Sequence, residues 1–229
     1  RDMVTTAISN GLEISMNNKI DRIEKGLDYK YLSGSKENIQ ARNVALCNAE
    51  GIKYFSNIKT KTSYAPIAVV SGVPKQAKSF VELDYFPKNC INLLTKGNGF
   101  GLAGGISLPN KAKCDEYLDY VVRKHKKINP TMKEVSRYIG VKTEFTFKNE
   151  QRGYLYNIDN IDDGVWTMIP GKFTLAFSMA PEFYRRAYKI NPKKYFKTKT
   201  SNDSSTNIIS NTVWKDTYNQ ITEDSYGND

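Results

Sequence analysis

The most constraining stretch begins at Val141. Val141, Thr143, Phe145 and Phe147 alternate with polar residues, a period of two that fits a strand with one buried face and excludes a helix. "GYLYNI", "GVWTMI" and "KFTLAFSM" follow at short intervals, separated by glycine, asparagine and aspartate. Turn residues between β-prone runs favour antiparallel neighbours with short connections. The second half of the chain is therefore expected to hold an antiparallel meander. The "DNIDD" cluster at 159–163 reads as a turn within it, because it lacks the ligand spacing of a calcium loop.

Helical periodicity dominates elsewhere. Ile8, Leu12, Met16, Ile20, Ile23 and Leu27 recur at spacings of four and three, which predicts one long amphipathic N-terminal helix. Strands are expected at Ile67–Val70 and over Phe80, Val81, Leu83 and Tyr85. Pro87 then stops that strand or opens a helix carrying Cys90, Ile91, Leu93 and Leu94. A helix from Asp115 to Lys127 places Tyr117, Leu118, Val121 and Val122 on one face and ends in "RKHKK", positive charge at the helix end that favours it. Pro130 and Thr131, with Glu134 three residues on, predict another helix closed by Gly140. The expected fold class is α+β: a long N-terminal amphipathic helix packed on an antiparallel sheet, with a second α+β region after residue 115. The expected divisions are 1–114, 115–199 and a polar tail or assembly arm over 200–229.

Chemistry finds little purchase in these motifs. Gly99, Gly101 and Gly104 spell G-x-G-x-x-G, but a dinucleotide site needs those glycines between a strand and a helix. Here they follow an apparent helix and lead into "ISLPN", so they read as a turned loop. The only histidine, His125, lies among four basic neighbours and reads as a solvated surface residue, a poor partner for a nucleophile. The carboxylates are scattered. Cys47, Cys90 and Cys114 lack C-x-x-C spacing, so no zinc site is expected. Three cysteines allow three disulfide pairings with one thiol left over, or three reduced, buried thiols. No catalytic residue, metal or cofactor is assigned.

Charge points toward partners. The 34 Lys and Arg against 24 Asp and Glu leave a net +10, which suits an anionic partner or simply marks a lysine- and asparagine-rich proteome. No run of 18 apolar residues exists. No signal peptide is recognised, and the start at Arg1 reads as either a processing or a cloning boundary. Between 183 and 199, Tyr184, Tyr188, Tyr195 and Phe196 interleave with Arg185, Arg186, Lys189, Lys193, Lys194 and Lys197. Such a mixture serves a subunit interface or tracks a nucleic-acid backbone while rings stack on bases.

Two resemblances extend this reading. "SFVELDYFPKNCINLLTKG" followed by "GFGLAGGISLPNKAKC" resembles the strand, proline, cysteine-bearing helix, glycine loop and second cysteine of type IVb pilins and minor pilins, over residues 1–115. That resemblance implies a Cys90–Cys114 disulfide and contact with neighbouring subunits. "YLDYVVRKHKKINPTMKEVSRYIGVKTEF", within 115–156, is similar to winged helix-turn-helix repressors, although 142–148 alternates like a strand where a recognition helix is required. The resulting expectation is a non-enzymatic structural subunit of a surface filament or other extracellular assembly, partnered by other copies or subunits. The alternatives are a basic nucleic-acid-binding protein, cytoplasmic in location, and a virion structural protein.

Overall fold

A computed structural model describes residues 2–84, 89–145, 156–172, 175–193 and 212–226. In chain order the elements are α1 (Asp2–Ile8), β1 (Ile20–Lys25), β2 (Lys30–Gly34), β3 (Ile39–Ala41), β4 (Val44–Leu46), a 3₁₀ turn (Ala49–Tyr54), β5 (Thr60–Ser71), β6 (Phe80–Asp84) and β7 (Asn89–Gly97). There follow β8 (Phe100–Gly105), a 3₁₀ turn (Lys111–Lys113), α2 (Cys114–Ile128), β9 (Lys133–Phe145), β10 (Asn157–Asp162), β11 (Val165–Ile169), α3 (Ala176–Tyr188) and α4 (Val213–Tyr226). The chain forms two compact units, each built from two segments: Arg1–Lys61 with Thr143–Ile209, and Thr62–Lys142 with Ser210–Asp229. The mixed α+β class with antiparallel sheets holds. No helix among the described residues is long and apolar enough to cross a membrane.

The long N-terminal helix does not form. α1 stops at Ile8 because Ser9, Asn10 and Gly11 follow: Ser9 Oγ and Asn10 Nδ2 both donate to the Thr6 carbonyl, and Gly11 takes a positive φ of 94°. Asn17 then adopts φ 56°, and Ile20–Lys25 becomes β1. The helical stripe is consequently not a buried face; Leu27 is fully exposed at 102 %. Helical spacing had no partner surface to bury it, and the turn residues decided the local conformation.

In the first unit β1, β2 and β3 form an antiparallel sheet, with Ile23 opposite Leu32 and Leu32 opposite Ile39. A second sheet has the order β10-β11-β4. β10 and β11 are an antiparallel pair joined by a turn at Asp163 and Gly164, so the "DNIDD" cluster read as a turn is strand from Asp159 to Asp162 and only its last residue turns. Gly164 has φ 68°, and a Cβ would sit 2.6 Å from the Arg42 carbonyl oxygen, a combination that only glycine meets. Beneath this turn Lys30 is 3 % exposed, its Nζ 3.7 Å from Asp163 Oδ2.

In the second unit five strands run in the order β6-β7-β8-β5-β9. β7 stands where a helix was expected after Pro87. Its Cys90, Ile91 and Leu93 pair with Leu83, Glu82 and Phe80 of β6, and edge-to-centre pairing outweighed the helical spacing of the apolar residues. Gly97, Asn98 and Gly99 form the β7–β8 turn, all at positive φ, and Gly101 and Gly104 lie in β8. The glycine-rich segment is thus a hairpin. Gly101 lets Leu93 Cδ1 come within 3.0 Å of where a Cβ would be.

α2 covers one face of this sheet. Leu118, Val121 and Val122 pack with Ala68, Val70, Ile91, Leu93, Ala103 and Met132. His125 belongs to the same face and is fully buried, which corrects its reading as a surface residue. Positions 118, 121, 122 and 125 share one helical stripe, and that stripe outranks the charges beside the histidine. Residues 131–140 are not a helix: β9 runs through them, so the helix-turn-helix arrangement is absent. Arg137 fastens β9 to α2, donating to Glu134, Asp115 and Asp119 at 2.6, 3.3 and 3.0 Å. Within the polar tail a helix forms, α4. α4 sets Tyr218 edge-on to Phe100, ring centroids 5.1 Å apart, and accepts a hydrogen bond from Asn98.

Candidate functional site at the end of a parallel strand pair

β11 and β4 are parallel, with Val165, Trp166 and Thr167 opposite Val44, Ala45 and Leu46. Every other strand pair whose register is defined among the described residues is antiparallel. Parallel strands present their carboxyl ends together, and in open α/β sheets ligands collect there. β11 leaves the sheet through Pro170, buried Gly171 and Lys172 and reaches α3. "KFTLAFSM", expected as a strand, instead supplies the start of this helix from Ala176. The proline–glycine break directly after the apolar run is the signal that a strand had ended.

α3 begins without a side-chain cap. Leu175 occupies the cap position and offers no hydrogen bond, so among the described residues the cap supplies no side-chain acceptor for the first backbone N–H groups of the helix. A helix N-terminus carries partial positive charge and favours an anion or a strong acceptor. The opposite face of α3 is well anchored: Met179 and Phe183 pack on Trp166 and Met168, with the Phe183 ring edge-on to Trp166 at 5.8 Å. β11 also carries two of the buried polar atoms that lack a partner among the described residues, Trp166 Nε1 and Thr167 Oγ1. The carboxyl end of a parallel strand pair, followed by a helix start whose cap residue offers no side-chain acceptor, is suited to holding a ligand acceptor.

The residues singled out for an interface lie along and after α3. Arg185 and Arg186 both donate to Glu182, and Arg186 donates to the Ile158 carbonyl. The Tyr184 and Tyr188 rings lie 4.8 Å apart, Lys189 ends the helix at φ 59°, and Lys193 follows. Lys194, Tyr195, Phe196 and Lys197 lie outside the described residues. Cys90, on β7, and Cys114, at the start of α2, are both buried and not bonded to each other, and Cys47 is exposed after β4. Burial pushes the Cys114 thiol above its ordinary pKa. No group of three metal-ligating side chains occurs among the described residues.

No family profile and no curated protein matches the chain. Solved structures do. A glycine oxidase from Geobacillus kaustophilus is similar over 79% of this chain and 51% of its own, at 10% identity and a TM-score of 0.59. The open form of NikD, an unusual amino acid oxidase essential for nikkomycin biosynthesis, gives 87%, 56%, 12% and 0.63. An L-proline dehydrogenase from P. horikoshii gives 82%, 54%, 13% and 0.62. The chain spans about half the length of these proteins. At such identities the likeness is one of fold. It overturns the pilin and winged-helix resemblances, and with them the reading of a non-enzymatic filament subunit. The short match around Cys90 rested on a helix that is in fact β7.

Proposed function

We propose that this chain is part of an oxidoreductase that dehydrogenates a carbon–nitrogen bond in an amino or imino acid. The observation that carries the reading is the shared fold: glycine oxidase, NikD and L-proline dehydrogenase differ in substrate, yet each name denotes oxidation of such a compound. Dehydrogenating a C–N unit removes two electrons and two protons; the protons can pass to water, but the electrons need an acceptor that protein side chains do not provide. FAD, when bound, would supply that acceptor.

The described residues fit one end of such a cofactor and not all of it. The uncapped start of α3 can bind a polar ring edge or a phosphate oxygen, and the Trp166–Phe183 packing holds that helix rigid against β11. A glycine-rich pyrophosphate cradle is not found among the described residues, since Gly99, Gly101 and Gly104 belong to a hairpin. The part assigned to this chain is therefore to orient and bind, and to exclude water with the apolar clusters on both faces of β11.

The test is flavin titration of the purified protein, read by quenching of flavin fluorescence, with dye reduction across a panel of amino and imino acids. Saturable flavin binding and amine-dependent dye reduction support the reading. Absence of both removes it.

A further inference from the structure

A cleft in the first unit lies away from the carboxyl ends of the parallel strands. It encloses about 740 Å³ where β1, the segment after the first 3₁₀ turn and the β10–β11 hairpin meet, and it reaches Val165, the opposite end of β11 from Ile169. Its floor is the unsealed side of a core. Ile23, Phe55, Ile58 and Ile161 pack on Val44, Leu46 and Ile52 but remain only partly buried, so an apolar body laid there removes further surface from water.

The rim has the opposite charge to the chain. Asp21 and Asp162 face the cleft, and Arg22 is the one cation lining it among the described residues. Arg22 Nε is already 2.8 Å from Glu24 Oε1. Each aspartate holds one lysine: Lys19 to Asp21 at 2.6 Å and Lys25 to Asp162 at 3.5 Å, with all four side chains more than half exposed. Exposed pairs of this kind contribute little, so a second ammonium can share or replace the lysine with small net loss. Asp162 is also kept ionised: the Asp163 backbone N–H and Lys25 hold its carboxyl below the ordinary range.

We propose that this cleft binds an amphipathic organic cation, a compact aromatic or branched aliphatic body bearing a protonated amine, with the body on Ile23, Phe55 and Ile58 and the ammonium at the acidic rim that Asp21 and Asp162 supply. The site is separate from the α3 start, and it stands or falls independently of the oxidoreductase reading.

The experiment uses the full chain and two probes of the same body and opposite charge, 2-phenylethylamine and phenylacetate, followed by ligand-observed NMR. The amine is expected to bind at least about tenfold more tightly, a preference that added salt erodes. Asp21→Asn with Asp162→Asn is expected to weaken the amine about tenfold and leave phenylacetate unchanged or improved. Both positions are exposed, and Asp21→Asn alone, which touches no backbone hydrogen bond, is expected to give part of the loss. Equal binding of the two probes, no amine binding at about 20 mM, weaker than the millimolar range in which small ligands are still measurable, or an intact preference in the double variant would overturn the proposal.

Discussion

The two units distribute their apolar residues differently. In the second, one cluster joins α2 to three strands, from Ala68 and Val70 through Ile91, Leu93 and Ala103 to Leu118 and Val121. In the first, the β4–β11 pair is sandwiched by two smaller clusters, one around Val44, Leu46 and Ile52 and the other joining Trp166 and Met168 to α3. The larger cluster covers a sheet face; of the smaller ones, that around Val44, Leu46 and Ile52 leaves Ile23, Phe55, Ile58 and Ile161 half-buried along an open cleft. A closed core resists change, whereas open margins are where a ligand can gain contacts. That contrast predicts that stability resides chiefly in the second unit and ligand contacts in the first.

The largest effect should come from the sealed core. Leu118→Ala removes a fully buried side chain at the centre of the cluster and should cost about 2–5 kcal/mol. Ile58→Ala, at a partly buried position in the first unit, should cost no more than about 1 kcal/mol. Urea midpoints, with hydrogen exchange resolved by unit, measure both. Equal losses would break the comparison.

A smaller effect distinguishes the units by pH, because the sole histidine lies in the second. His125 Nε2 is 3.0 Å from the Asn92 carbonyl and donates to it, Nδ1 has no partner among the described residues, and the ring lies 5.5 Å from Phe80. Burial pushes its pKa below the ordinary 6.5, although the hydrogen bond to Asn92 and the charge of Glu82 oppose that shift. The unfolded chain therefore takes up the proton first. Stability is full above about pH 6.5 and declines as the pH falls from there toward the lowered folded value. Exchange protection in α2 should fall over that window in the wild type and stay flat in His125→Gln. Loss of protection in β10 and β11 to the same extent would show that acid acts on the whole chain instead.

Much of the second unit was legible in the sequence and much of the first was not, for physical reasons. α2 announced itself because its apolar stripe is long and flanked by charge, and β5, β6 and β11 because β-prone runs are bounded by turn residues. The N-terminal stripe misled, since spacing alone says nothing of Ser9, Asn10 and Gly11 stopping the helix. β7 and the 133–140 part of β9 were read as helices because their apolar spacing and cap-like residues mimic helical signals; strand pairing decided otherwise, with β7 between β6 and β8 and β9 beside β5, which begins at Thr60. The candidate site was invisible for a related reason. It needs β4 beside β11, a parallel pairing across more than a hundred residues, and an apolar run after Gly171 that β-propensity assigns to a strand. His125 was the one error that the stripe itself could have prevented.

The effect smallest in stability is the sharpest in meaning. Leu175→Asp places a carboxylate at the uncapped start of α3. It can accept the orphan N–H groups and complement the helix dipole, so stability should change by no more than about 1 kcal/mol in either direction once the lost leucine packing is included. A flavin oxygen held by the same donors would then compete with a fixed negative charge, and flavin retention should drop about tenfold. Leu175→Asn separates charge from capping, because it can cap without charge and should weaken flavin less. Leu175→Ala isolates the packing and should leave retention near wild type. If all three retain flavin alike, α3 is only a support for β11, and the ligand-binding margin of the first unit must lie elsewhere. If only the aspartate fails, the donors at the helix start are what the cofactor meets.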